Sequence, residues 1–297
     1  MAILTALAAT AASASACRSQ PPLSHRKQPP PGVSRTNLEV PPDEDVKLAA
    51  IEVPEGMVHV PQGGFRMGCA ESADGPCATT EQPARNVWVS GFFMDLTEVT
   101  TAAFAACIKA GSCQPTVAAG ECNGGQKDRD SFPVNCVTWD QAAQYCLWLH
   151  KRLPTEAEWE KAARGTDGRL YPWGSQAPDA GGIFRANWGE GLARALWVRD
   201  QWEFDGPVGF YPEAAGPYGT MDQAGNLSEW VADGYREGYD PDDTRDPSVG
   251  PTKDGRVVRG GSFREYARRL RTYCRDWHEP LFWYGHVGFR CARDAAR

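Results

Sequence analysis

Residues 154–165 carry a full set of helix punctuation, and that punctuation sets how short the helices of this chain are. Thr155 is placed to cap the first turn, and Glu158, three residues on, to reach back to it as a reciprocal capping box. Pro154 stands just ahead and Gly165 just past the last turn, where a helix stops readily. Between them Trp159, Ala162 and Ala163 fall at i, i+3 and i+4, so one large ring and two small side chains are expected to share the docking face. A second capping box, Thr138 with Gln141, opens a helix expected to run through His150. Thr100 caps a third as far as Ala110, with Phe104 and Ile108 on one face and Gly111 ending it. Short helices among 31 glycines, 23 prolines and 11 tryptophans predict a single loop-rich domain whose aromatic rings hold irregular backbone together.

Strands are expected over residues 57–61 and 64–68, around a Gln62-Gly63-Gly64 turn, and over 86–94. Ten cysteines point to an oxidising compartment. Cys107, Cys113, Cys122 and Cys136 lie across a glycine-rich loop, 111–130, which reads as a disulfide-stapled insertion. Zinc is the competing reading there, but no C-x-x-C pair or nearby histidine supports it. Residues 1–16 are small and apolar and read as a secretory signal. Cys17, directly after Ala16, resembles the lipidated cysteine of a bacterial lipobox, although no basic residue precedes the apolar run and Ala14 stands where leucine is usual. The expected organisation is therefore a signal over 1–17, a Pro-rich linker over 18–54 too polar to fold, and a domain over 55–293. Such a chain would be an exported, membrane-anchored lipoprotein of the periplasm or cell surface, touching the membrane through its N-terminal lipid only. A net charge of −7 argues against nucleic acid, and the arginines of 264–275 read as buried pairing residues.

The string Arg152-Leu153-Pro154-Thr155-Glu156-Ala157-Glu158-Trp159, continuing to Gly165 and then Tyr171-Pro172-Trp173-Gly174, resembles the signature of the sulfatase-modifying-factor family. The founding activity of that family is the formylglycine-generating enzyme. Gly64-Phe65-Arg66-Met67-Gly68, the run from Phe92 to Thr100, Arg259-Gly260-Gly261-Ser262-Phe263 and Val287-Gly288-Phe289-Arg290-Cys291 extend the resemblance over about 55–293. It implies an irregular α+β fold of the C-type-lectin kind, low in regular structure. It also implies two structural calcium sites built from hard oxygen ligands. The first would use the Asn187 side chain, the Trp188 carbonyl, Asp200 and the Trp202 carbonyl. The second would use Asp222, the carbonyls of Gly225 and Leu227, and Glu229. A disulfide between Cys146 and Cys291 is implied as well.

At one place the resemblance fails. The family's oxidase chemistry uses two cysteines, two and seven residues past the aromatic of the Gly-Gly-Ser-aromatic motif, as soft thiolate ligands of copper(I). Counted from Phe263, those positions are Glu265 and Leu270, so copper is not expected here. A tryptophan bordering the family's active site is Ser228. Ser262, which matches its family counterpart, and Cys274, the nearby thiol, are the remaining catalytic candidates. If 274–278 were helical, Cys274 and His278 would share a face, and with His286 beyond they could form a relocated copper or zinc site. Cys274 otherwise aligns near a family half-cystine whose partner position is Ala163, so among the nine cysteines left after Cys17 it is the expected odd one. The leading functional expectation is a non-catalytic, calcium-stabilised scaffold binding an extended peptide, protein or glycan of the envelope. The alternative is an oxidase that converts a protein cysteine to formylglycine through a relocated site.

Overall fold

The computed structural model describes residues 51–118, 120–189 and 202–295. The signal, Cys17, most of the linker and Asp200 lie outside the described residues. Among the described residues the architecture is an irregular α+β fold of three small sheets with four short helices among them. None of the helices described is long and apolar enough to cross a membrane.

β1 (Met57–Val60) and β2 (Gly63–Met67) form where the alternation places them, yet they do not pair with each other. β1 pairs with β4 (Phe92–Asp95), and β2 pairs with β3 (Arg85–Val89), both antiparallel. The stretch expected as one strand over 86–94 is thus two, in different sheets. Its break is at Ser90, whose backbone N–H and hydroxyl are taken by the Asp246 carboxylate at 2.6 and 2.9 Å instead of by a ladder partner. The next residue, Gly91, lies so close to the β1–β2 connection that a Cβ there would come within 3.4 Å of the Gln62 nitrogen.

Of the helices, α1 is a single turn (Glu71–Asp74), and α2 (Thr101–Lys109) is capped by Thr100 as expected. α3 (Trp139–Trp148) has the Thr138–Gln141 box but stops short of His150, which takes φ 55° as the chain turns away. α4 (Glu156–Arg164) has the Thr155–Glu158 box, and it departs from the expected amphipathic helix: all nine of its residues are buried. A helix this charged can be buried all round only if its charges are matched. Glu156 receives Arg259 and Arg275, Glu160 receives Arg259 and Arg164, and Arg164 also reaches Asp74. The Lys161 ammonium donates to the carbonyls of Pro61, Gly63 and Val89. Burial pushes that lysine down to about 8.

The third sheet runs in the order β7 (Arg275–His278), β6 (Arg256–Arg259), β5 (Ser228–Gly234), β8 (Val287–Phe289), antiparallel except for the parallel β5–β8 pair. β9 (Ala292–Asp294) then crosses to pair with β4, so the C-terminus stitches two sheets together. Between β8 and β9, Cys291 is bonded to Cys146 of α3, with Cα atoms 5.6 Å apart. The insertion loop is stapled by Cys107–Cys113 and Cys122–Cys136, and Cys69–Cys77 closes the α1 turn. Cys274 takes no part in these four bridges.

Candidate functional site

The turn after β6 brings the residues of interest together. Gly260 and Gly261 have φ of 93° and 67°, backbone that favours glycine, and their bare faces are filled from within. A Cβ on Gly260 would meet the Trp159 ring at 3.2 Å, and one on Gly261 the Arg269 carbonyl at 2.9 Å. These glycines therefore serve internal packing, not the approach of another chain. Beside them lies a small depression with room for about one water, lined by Ser228, Glu265, Arg269, Cys274 and Asp276 among others.

Within it, Glu265 accepts from the Ser262 N–H and from Arg269, whose guanidinium also holds Asp276. Burial pushes the Glu265 carboxyl above the usual carboxylate range. Leu270 is fully buried with Tyr171, Ala186 and Ala224, and does not line the depression. Ser262 is fully buried too, its hydroxyl accepting from the Arg264 N–H, so it serves the turn. Cys274 does line the depression, at 3% exposure. The helix that a relocated Cys274–His278 site would need is absent: 275–278 is a strand, β7, and extended residues four apart stand ~13 Å apart. Cys274 and His278 are thus not a chelating pair. His278 instead meets His286, Nε2 to Nε2 at 3.3 Å.

A second constellation sits on the turn before β5. Asp222 and Asn226 adopt φ of 58° and 59°, and Gly225 one of 82°. Asp222 accepts from the Gly209 N–H at 2.6 Å. Glu229 accepts from Trp159 Nε1 at 2.8 Å and is clamped by both arms of Arg290 at 2.7 Å. Glu98, buried beside them, accepts from the Asn226 amide and the Leu227 N–H. Three buried carboxylates therefore surround one guanidinium. Burial, with Asp222 and Glu229 adding repulsion, pushes Glu98 well above its usual range, and burial pushes Asp222 up to about 6. In the sequence Glu98 is marked only as an acid in the apolar approach to α2.

Asp222, Glu229 and the carbonyls of Gly225 and Leu227 are hard oxygen donors of the kind a divalent cation takes, but both Glu229 oxygens are already engaged by Trp159 and Arg290. Among the described residues, however, no three acidic, histidine or cysteine side chains converge on one point, so backbone carbonyls would supply much of such a shell. For the first loop, Asn187 donates to the Phe204 carbonyl at 2.7 Å, Trp188 is half-buried, and Trp202 packs edge-on against Phe132 and Phe210. Its acidic member, Asp200, is outside the described residues. The two loops touch: the Asn187 carbonyl accepts from the Asn226 N–H at 2.8 Å, and a Cβ on Gly225 would fall 2.2 Å from that oxygen.

The model of the sulfatase-modifying factor enzyme 1-like domain matches residues 43–295. The formylglycine-generating enzyme of Thermomonospora curvata is 34% identical over 293 residues, covering 82% of this chain and 95% of that one. The inactive C-alpha-formylglycine-generating enzyme 2 of Mus musculus is 30% identical over 288 residues, covering 81% of this chain and 86% of its own. Among solved structures, PvdO from Pseudomonas aeruginosa superposes with a TM-score of 0.68 at 24% identity, covering 80% of this chain and 94% of that one, which speaks to the fold. With most of its length matched by the domain model and by relatives of both kinds, this chain belongs to the sulfatase-modifying-factor family of formylglycine-generating-enzyme-like proteins.

Proposed function

We propose that this chain is a non-oxidising member of its family: a calcium-stiffened module of the cell envelope that holds an extended peptide, protein or glycan. The observation that carries the reading is at the depression beside the Gly-Gly turn. The two positions where the family resemblance expects copper-binding thiols are Glu265, tied to Arg269 and the Ser262 N–H, and Leu270, sealed in the core. Copper(I) prefers soft thiolates, and a carboxylate with a buried alkane offers neither affinity nor orientation. Exposed apolar side chains support a binding role: Tyr266, Leu281, Phe282 and Trp283 face solvent and are suited to the apolar face of a polymer. Export and lipid attachment at Cys17 complete the proposal and rest on the N-terminal sequence alone.

The second reading, an oxidase with a relocated site, is favoured by one observation, that Cys274 lines the same depression. One experiment separates them. Copper-loaded protein is incubated in air with a peptide carrying a sulfatase-type cysteine motif, and the peptide is weighed by mass spectrometry. The non-oxidising reading expects unchanged cysteine. Conversion to formylglycine that disappears in Cys274→Ser refutes it.

A further inference from the structure

The sheet face that holds the depression continues into two imidazoles that no part of the proposed binding role uses. Along β7, Asp276 and His278 stand two residues apart on one face of the strand, and Asp276 lines the depression. The chain then loops out and returns through His286 just ahead of β8. From this arrangement we infer that His278 and His286 form a site for a borderline divalent metal of the zinc class, between the end of β7 and the start of β8.

The geometry is the first support. Two metal–nitrogen bonds of ~2.0–2.1 Å at a tetrahedral angle hold their nitrogens ~3.3–3.4 Å apart. The two Nε2 atoms here are 3.3 Å apart. The rings are also held in that relation before any ligand arrives. Tyr284 stacks on His278 with centroids 4.2 Å apart, and Trp230 meets His278 edge-on from below. The backbone around His286 is pinned from both sides: its carbonyl accepts from the Ser228 N–H, and the Tyr284 carbonyl accepts from the N–H groups of Cys136 and Val287. Both histidines are only partly exposed.

The charge state agrees. Burial favours the neutral form of both imidazoles. The cationic neighbours are matched: Arg264 by Glu121, and Arg269 by Glu265 and Asp276. Among the described residues no third acidic, histidine or cysteine side chain joins the pair. Two imidazoles leave the metal's other positions to water or to a donor on a bound molecule, such as a carboxylate or a thiolate.

A plain hydrogen bond between the rings would satisfy the same distance, but it demands opposite tautomers, with one ring protonated at Nε2 and the other at Nδ1. A shared metal demands Nδ1–H on both. The test uses the full chain with calcium in excess, so that hard-cation loops are filled, and a chromophoric chelator competing for zinc. We expect about one zinc per chain. Removing even an outer partner of a ligating histidine costs ~10–100-fold, so His278→Gln and His286→Gln should each weaken zinc by at least about tenfold, with His150→Gln unchanged. Should either variant fail to fold, long-range nitrogen–proton spectra of the wild type decide: zinc must leave both rings as Nδ1–H tautomers with shifted Nε2. No zinc bound, zinc affinity unmoved in both variants, or one ring still carrying Nε2–H at zinc saturation would overturn the inference.

Discussion

Replacing Glu156 with glutamine tests what holds the signature helix inside the fold. Glu156 is 3% exposed and takes three short hydrogen bonds: Arg259 Nη1 and Arg275 Nε on one oxygen at 2.7 Å, and Arg275 Nη2 on the other at 2.6 Å. Burial alone would raise this carboxyl, yet Arg275 and Arg259 outweigh it and hold it below its usual value. Glutamine keeps the shape, removes the charge and turns an amide donor toward a guanidinium donor. Arg259 retains Glu160, but among the described residues Arg275 has no second carboxylate in reach. Breaking a buried pair so that one charge is stranded costs ~3–5 kcal/mol, a large part of the ~5–15 kcal/mol by which a domain is stable. At ~2–4 °C per kcal/mol for a domain of this size, the melting temperature should fall by ~6–20 °C. Urea unfolding measured beside Asp167→Asn supplies the contrast. Asp167 is an exposed partner of Arg169, and pairs of that kind contribute ~0–1 kcal/mol. If Glu156→Gln shifts the midpoint no more than Asp167→Asn does, the network is not what keeps α4 buried.

Loss of the Cys146–Cys291 bridge should be equally visible. It closes 145 residues of sequence, for which chain entropy gives roughly 5 kcal/mol before any native-state correction, and Cys146→Ala with Cys291→Ala measured by urea unfolding reads it. A loss under ~1 kcal/mol would show that β9 is held by its pairing to β4 alone. Chelation of calcium should lower the melting temperature, since a ligand at a hundredfold excess over Kd adds ~2.7 kcal/mol; an unmoved melting curve and no calcium by elemental analysis would remove both loops as metal sites. Asp233 supplies a pH test: burial, and then the Glu156 carboxylate, push it up to about 7. The folded chain then keeps a proton that the unfolded chain releases near pH ~4, so this group's contribution is full at low pH and is lost as pH rises toward about 7. Asp233 accepts the N–H groups of Glu156 and Val249 on its two oxygens, and an amide can accept only one of them. Asp233→Asn should therefore be most destabilising near pH ~4 and much less so near pH ~8, and a penalty independent of pH would contradict the raised value.

What was legible in the sequence was local. Thr100, Thr138 and Thr155 cap their helices because a cap is settled within four residues, and the glycine after α2 and α4 ends them for the same reason. Strand pairing was not local. Nothing within 57–68 says that β1 must seek Phe92–Asp95 and β2 Arg85–Val89, because the partner is chosen by the break at Ser90, and that break is made by Asp246 from far along the chain. The same limit governs the site. Asp222 and Glu229 are singled out only through the family resemblance, whereas Glu98, which joins them from far along the chain, shows only as an acid in apolar company. The arginines of 264–275 divide along that line too. Arg269 and Arg275 are buried pairing residues as their aromatic surroundings suggest, while Arg264 stays 40% exposed beside Glu121. The helix 154–165 is the sharpest case. Its Trp-Ala-Ala face was readable, but burial of its opposite face depends on Arg259 and Arg275, delivered by strands about a hundred residues later. A motif of charged residues with complete caps is therefore ambiguous by itself between a solvent-facing helix and a buried hub. Here the arginines on β6 and β7 decide it, which makes α4, Gly260 and the depression beside it a single unit: loosening Glu156 should disturb the Gly-Gly turn that packs on Trp159 before it disturbs the distant insertion loop.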